Sequence, residues 1–144
     1  MATRLCSISP YVRVEHKNEF LTPETADVLL SDVDIVCDTV DGAANKLMLG
    51  EQCKRLGKVE ATGGIGDVRC WTALLVNRYV SEILKLHNGR SIYANPGTCF
   101  LQGAFQAQEI LNWLCGRDWN ATDKKIEFNH NTYALYVEDI GEDV

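Results

Sequence analysis

Apolar and polar positions along the chain alternate between two periods, one near 3.6 residues and one of two, which predicts an alternation of helices and strands. Thr3 to Ile8 reads as the last turns of a helix that stops before Pro10, because the residue ahead of a proline is pushed out of the helical region. Tyr11 to His16 then alternates β-formers with charged residues, the pattern of a strand with one wet face. Thr22-Pro23-Glu24 offers a cap, a proline at the first helical position and an acidic first turn, followed by Ala26, Val28, Leu29 and Leu30, so a short helix is expected there. Asp34 to Asp38 is a short apolar run bounded by carboxylates, as in a buried strand of a parallel sheet. Asp41 is placed to cap a helix running to about Leu56, with Gly57 as its stop.

Lys58 to Thr62 reads as the next strand and leads into Gly63-Gly64-Ile65-Gly66, read as a turn that β-carbons would hinder. Ala73 to His87 carries Val76, Tyr79, Val80, Ile83 and Leu84 at helical spacing and is closed by Asn88-Gly89. After a turn at Asn95-Pro96-Gly97, a further helix carries Phe100, Ala104, Ala107, Ile110, Leu111 and Leu114, a broad apolar face that predicts near-complete burial up to Gly116. Lys124 to Asn129 and Thr132 to Glu138 alternate around a His130-Asn131 tip, which predicts a closing β-hairpin. The fold class expected is α/β with a mixed sheet, mostly parallel through crossover helices and ending in a C-terminal antiparallel β-hairpin.

Length and composition add limits. With 144 residues and 46% hydrophobic content the chain is long enough for one core, and a single domain over 1–144 is expected. No apolar run approaches the roughly 18 residues of a membrane span, and no charged segment followed by an apolar one opens the chain, so a cytoplasmic protein is expected. A formal net charge of −6 speaks against capture of nucleic acid. Glu138, Asp139, Glu142 and Asp143 read as a solvated acidic tail, or as a docking tail for a basic partner.

The candidate chemistry gathers where the Asp34–Asp38 strand ends. In open α/β sheets, ligands bind beyond the carboxyl ends of strands, where a helix N-terminus offers free N–H groups and partial positive charge. Asp41 is placed there to hold Mg²⁺ of a bound nucleotide, or simply to cap the helix. Gly63-Gly64-Ile65-Gly66 is no dinucleotide fingerprint, since the third glycine would fall at Arg69; Gly64 stays a candidate contact in a turn beside the same sheet end. Among six scattered cysteines Cys70, next to Arg69, is the best-placed candidate for a reactive thiol, with a structural role as the competing reading. There is no C-x-x-C pair, so no zinc site is expected, and the three histidines suggest no triad.

Several segments, taken in order, resemble one family. Ile8-Ser9-Pro10-Tyr11-Val12-Arg13-Val14, Phe20-Leu21-Thr22-Pro23-Glu24, Asp34 to Gly42, and Gly97 to Leu111 with Gly103, Gln106, Ala107 and Glu109 resemble successive motifs of ThiF/MoeB-type activating enzymes, with the weakest stretch between Asp67 and Asn95. The resemblance is to the C-terminal half of these Rossmann-like domains. It implies Mg·ATP as cofactor, adenylation of the C-terminal glycine of a ubiquitin-like or sulfur-carrier protein, and a homo- or hetero-oligomer. It also implies that Asp41 is the carboxylate near Mg²⁺ and that Lys46 stands where the family carries an arginine; with Gly64 of the glycine turn, these are the expected nucleotide contacts. The family's G-x-G-x-x-G loop and triphosphate-gripping basic residues would lie upstream of Met1, so the chain alone is not expected to adenylate a substrate. A non-catalytic module holding a ubiquitin-like protein or an active paralogue is the competing expectation.

Overall fold

The computed structural model describes residues 2–84, 94–117 and 122–141. Helix α1 spans Ala2–Ile8 and α2 Ala26–Leu30; strand β1 (Ile35–Cys37) is followed by α3 (Ala43–Arg55), β2 (Val59–Ile65), β3 (Arg69–Leu75), α4 (Val80–Leu84), α5 (Pro96–Leu114), β4 (Lys124–Asn129) and β5 (Ala134–Asp139). The five strands lie side by side in the order β1-β2-β3-β4-β5. The α/β class, the mixed sheet and the closing hairpin agree with the sequence. The expected bias toward parallel strands does not, because only β1 and β2 pair in parallel, while β2–β3, β3–β4 and β4–β5 are antiparallel.

The cause lies in two segments. Gly63 and Gly64 continue β2 instead of ending it, and the turn comes later, closed by a hydrogen bond from Gly66 N–H to the Arg69 carbonyl at 2.8 Å. The chain therefore returns as a hairpin strand where a helix from Ala73 onward was expected. A short apolar run such as Cys70 to Leu75 cannot be assigned by periodicity alone, and here it is buried on both sides: Trp71, Ala73 and Leu75 join Val80, Ile83 and Ile140, while Leu74 joins Val59 and Ala61. Only the later part of the expected helix forms, as α4. Its stop at Asn88-Gly89, like Glu142 and Asp143 of the acidic tail, falls outside the described residues.

Further differences concern element ends. Tyr11 to His16 forms no strand; Tyr11 and Val12 are exposed, and among the described residues no segment pairs with them, without which β-propensity has little to stabilise. Thr22 to Thr25 is a turn, with the Thr25 hydroxyl accepting from Thr22 N–H and donating to the Phe20 carbonyl, so α2 starts only at Ala26. Asn95 is the N-cap of α5, accepting from Thr98 N–H at 3.0 Å, with Pro96 as first helical residue.

Two helical layers sandwich the sheet. The β2–β3 register puts Glu60, Thr62 and Gly64 on the face shared with Trp71, Ala73 and Leu75, which α3 and α4 cover, and puts Val59, Ala61 and Gly63 on the face shared with Leu74, which α5 covers. A second apolar cluster of Ala26, Leu30, Leu49 and Cys53 ties α2 to α3 beside β1. The α5 layer inverts the expectation of a buried apolar face: Thr98, Gln106, Glu109 and Asn112 are its buried residues, while Phe100, Leu111 and Leu114 face solvent. Among the described residues no helix is long and apolar enough to cross a membrane.

Candidate functional site

The end of β1 is assembled by side chains from three elements. Just past Cys37, Asp38 is 2% exposed and its backbone still follows the sheet, N–H donating to the Ala61 carbonyl at 2.8 Å. Its carboxylate Oδ2 accepts from Lys46 Nζ of α3 at 2.8 Å and from Thr62 Oγ1 of β2 at 2.7 Å, while Oδ1 accepts from Val40 N–H at 2.9 Å. From the opposite layer, Gln106 Nε2 of α5 donates to the carbonyls of Asp38 and Ala61 at 2.8 and 2.5 Å, and Gln102 Nε2 donates to Gln106 Oε1 at 2.7 Å. The bonds to the Asp38 carboxylate are charge-assisted, roughly twice as strong as neutral ones, and with those of Gln106 they leave the loop little freedom. Asp38 therefore fixes the position from which the next three residues leave the sheet.

Those residues end at Asp41, which is exposed. Among the described residues its Oδ1 accepts only from the adjacent Gly42 N–H, at 2.8 Å, and its carbonyl accepts from Asn45 Nδ2 at 2.7 Å. The expected capping role of Asp41 is corrected here: Gly42, at φ +82°, is the N-cap of α3, and no side chain caps the helix. A side chain other than glycine is strained at that φ. The result is a carboxylate held beside an uncapped helix N-terminus of 13 residues, a combination suited to a divalent cation and the anion it neutralises. Among the described residues no three His, Cys, Asp or Glu side chains group to hold a metal by themselves, so Mg²⁺ at Asp41 would depend on ligand oxygens such as phosphates.

The other sequence candidates are placed differently. Lys46 does sit behind the loop, yet its side chain is only 13% exposed and its ammonium is engaged by Asp38. Gly64 lies inside β2 on the α3/α4 face, where a β-carbon would collide with the Trp71 indole; packing accounts for that glycine. Cys70 is corrected: it is fully buried in β3, and burial first, then the nearby Glu127 and Cys99, push its thiol above the ordinary value. Its neighbour Arg69 turns away to Glu127, at 3.0 Å. A reactive thiolate needs the reverse, an open and electropositive setting.

Sequence reasoning passed over Asp38, Thr62, Gln106 and Glu60 as site residues. Glu60 is the most unusual: it is 1% exposed, neither carboxyl oxygen has a hydrogen-bond partner among the described residues, and burial, then Asp38, raise its carboxyl to about 8 against a smaller opposing pull from Lys46. A glutamate between Val59 and Ala61 in an apolar strand, and a glutamine inside an apolar helix, were the available signals.

Comparison with known proteins agrees with this fold. Escherichia coli MccB bound to ATP superposes with a TM-score of 0.76 at 12% identity, over 97% of this chain and 46% of MccB. The complex of that protein with AMPCPP and MccA gives the same TM-score over 98% of the chain and 47% of MccB. The selenomethionine form of PaaA superposes with a TM-score of 0.71 at 14% identity, over 97% of this chain and 46% of PaaA. The chain thus spans about half the length of the solved structures it matches, and at these identities the likeness concerns the fold. No curated protein sequence matches it. The ThiF family model, however, matches residues 1–140, nearly the whole sequence. The chain belongs to the ThiF family.

Proposed function

We propose that this chain supplies one half of the nucleotide site of an ATP-dependent activating enzyme, which adenylates the C-terminal glycine of a ubiquitin-like or sulfur-carrier protein. The observation that carries the reading is Asp41, an exposed carboxylate at the carboxyl end of β1 beside the uncapped start of α3, in a member of the ThiF family. The fold neighbour MccB, solved with ATP and with the peptide MccA, is consistent with a site that takes both a nucleotide and a polypeptide.

Bound Mg·ATP would supply an electrophilic α-phosphorus, from which pyrophosphate leaves as a substrate carboxylate attacks. The contribution of this chain is positional and electrostatic. Asp41 would hold the cation and the first N–H groups of α3 would serve the phosphates, while the Asp38–Lys46–Thr62 cluster with Gln106 keeps the loop in place before ligand arrives. The remaining phosphate contacts come from another segment or another polypeptide. In the assembled enzyme Asp41→Ala is expected to abolish release of pyrophosphate from ATP with the unfolding midpoint unchanged; wild-type turnover in the variant overturns the proposal.

One observation favours a second reading. Lys46, the basic residue nearest the loop in sequence, is committed to Asp38. A non-catalytic module that holds a ubiquitin-like protein or an active paralogue would need no free cation there. It predicts a stable complex with such a partner in the absence of ATP, measurable by size-exclusion chromatography.

A further inference from the structure

Two buried carboxylates sit close to one buried lysine, and only one of them has it. Asp38 is bonded to Lys46, Thr62 and the Val40 N–H, whereas neither oxygen of Glu60 meets a donor among the described residues. A buried carboxylate without donors is strongly disfavoured, and such a group escapes the penalty by keeping its proton. Burial, then Asp38, accordingly push the Glu60 carboxyl up to about 8, while Lys46 pulls the other way. Lys46 thus acts on both carboxylates and bonds to Asp38 alone.

Two elements bring Glu60 within reach of that lysine. Along β2, Glu60 and Thr62 point to the same face, about 7 Å apart, and Thr62 Oγ1 donates to the Asp38 oxygen that Lys46 also holds. Along α3, Lys46 and Gly50 lie one turn apart on the same side. Gly50 lets Glu60 come against the helix: a β-carbon there would lie 3.2 Å from Glu60 Oε2 and 2.5 Å from Val80 Cγ2. The flexible stem of a lysine can carry its ammonium across about 7 Å by rotation about its own bonds.

The other groups around Glu60 are apolar, acidic or already engaged. From α3, the Cys53 thiol is pushed up to about 12 by burial, then by Glu60 and Asp38; Glu51 is exposed, Lys54 lies 3.8 Å over the Tyr79 ring, and Arg55 meets Gln52 and Asp27. From α4 comes Val80, with Glu82 accepting from Arg78 and the Tyr79 N–H. Val36 of β1 and Leu75 of β3 are its neighbours across the strands. An ionised Glu60 therefore has Lys46 to turn to.

We infer that Glu60 is a positioning residue that works as a proton-controlled latch on the loop carrying Asp41. While Glu60 keeps its proton, Lys46 stays on Asp38 and the loop is held; when the proton leaves to solvent, the new carboxylate draws Lys46 to itself and the loop loosens. What the loosening does to a nucleotide rests on the reading of Asp41 given above, but the exchange of partners does not, and its test uses no nucleotide. NMR on the full chain labelled with ¹³C and ¹⁵N reads it from about pH 6 to about pH 9.5. As the Glu60 carboxyl carbon titrates, the nuclear Overhauser contacts of the Lys46 ε-methylene should pass from Thr62 to Gly50 with the same midpoint. Order parameters of Val40, Asp41 and Gly42 should fall together from about 0.85 toward about 0.6. In Glu60→Gln, neutral at every pH, Lys46 should stay beside Thr62 and the loop stay rigid throughout. Asp38→Asn, which removes the competing charge, should bring Lys46 to Gly50 already at about pH 7, so the exchange is also read without alkali. Lysine contacts that remain with Thr62 while Glu60 titrates, a switch that persists in Glu60→Gln, or an Asp38→Asn chain in which Lys46 has not moved overturns the inference.

Discussion

Asp38 and Asp41 stand three residues apart in one loop, in opposite physical situations. Asp38 is buried and bound by Lys46, Thr62 and Val40, with Gln106 gripping its carbonyl from the other layer; the Asp41 carboxylate is exposed and, among the described residues, meets only the neighbouring Gly42 N–H. Binding energy spent inside the protein is no longer available to a ligand. The contrast therefore assigns the two carboxylates different work: the first holds the backbone still so that the second can be offered, pre-positioned, at the end of the sheet.

The contrast is broken most forcefully at its buried end. Asp38→Ala leaves the Lys46 ammonium and the Thr62 hydroxyl without their partner, and loss of one member of a buried pair costs about 3–5 kcal/mol. Urea unfolding should show the midpoint fall accordingly. The same substitution at Asp41 should shift stability by less than about 0.5 kcal/mol, as at other exposed sites. Equal losses at the two positions would erase the distinction.

Glu60 sharpens the account through pH. Burial pushes its folded carboxyl up to about 8, from an ordinary value of 4.5, so between those values the folded protein keeps a proton that the unfolded chain has released. The contribution of this group to stability is complete below the lower value and falls by about 1.4 kcal/mol per pH unit until the higher one. Unfolding free energies measured from pH 5 to 8 should decline with that slope, and Glu60→Gln should flatten it.

Smaller again is the effect at Gly64. An added methyl meets the Trp71 indole, and overpacking of this sort costs about 1–3 kcal/mol. Gly64→Ala should lower the thermal midpoint without altering nucleotide affinity in the folded fraction; a selective loss of affinity would restore Gly64 to the site.

How much the sequence disclosed follows from how local each cause is. β1, the end of α3 at Gly57 and the closing hairpin rest on apolar runs and turn residues a few positions apart, and all three were legible. The family motifs around Asp41 and Gln106 were legible for the same reason. β3 was not, because Cys70 to Leu75 is apolar on both sides and carries no period, and its strand character depends on β2 and β4 on either flank. Lys46 was located but its engagement was hidden, since Asp38 reaches it across the start of α3. For α5 the apolar pattern was read correctly and its direction was not: Gln106 and Thr98 face the sheet because unpaired carbonyls at strand ends need donors, a demand that hydrophobicity does not encode.

The central claim, that Asp41 is the carboxylate offered to a nucleotide while Asp38 only holds it in place, is most directly tested by calorimetric titration of the purified chain with Mg·ATP, repeated on Asp41→Ala. The account predicts saturable binding in the wild type that the variant loses while keeping its unfolding midpoint. Undiminished binding by the variant would contradict it, whereas no binding by the wild type would mean that the site needs its other half or that the chain is a non-catalytic module.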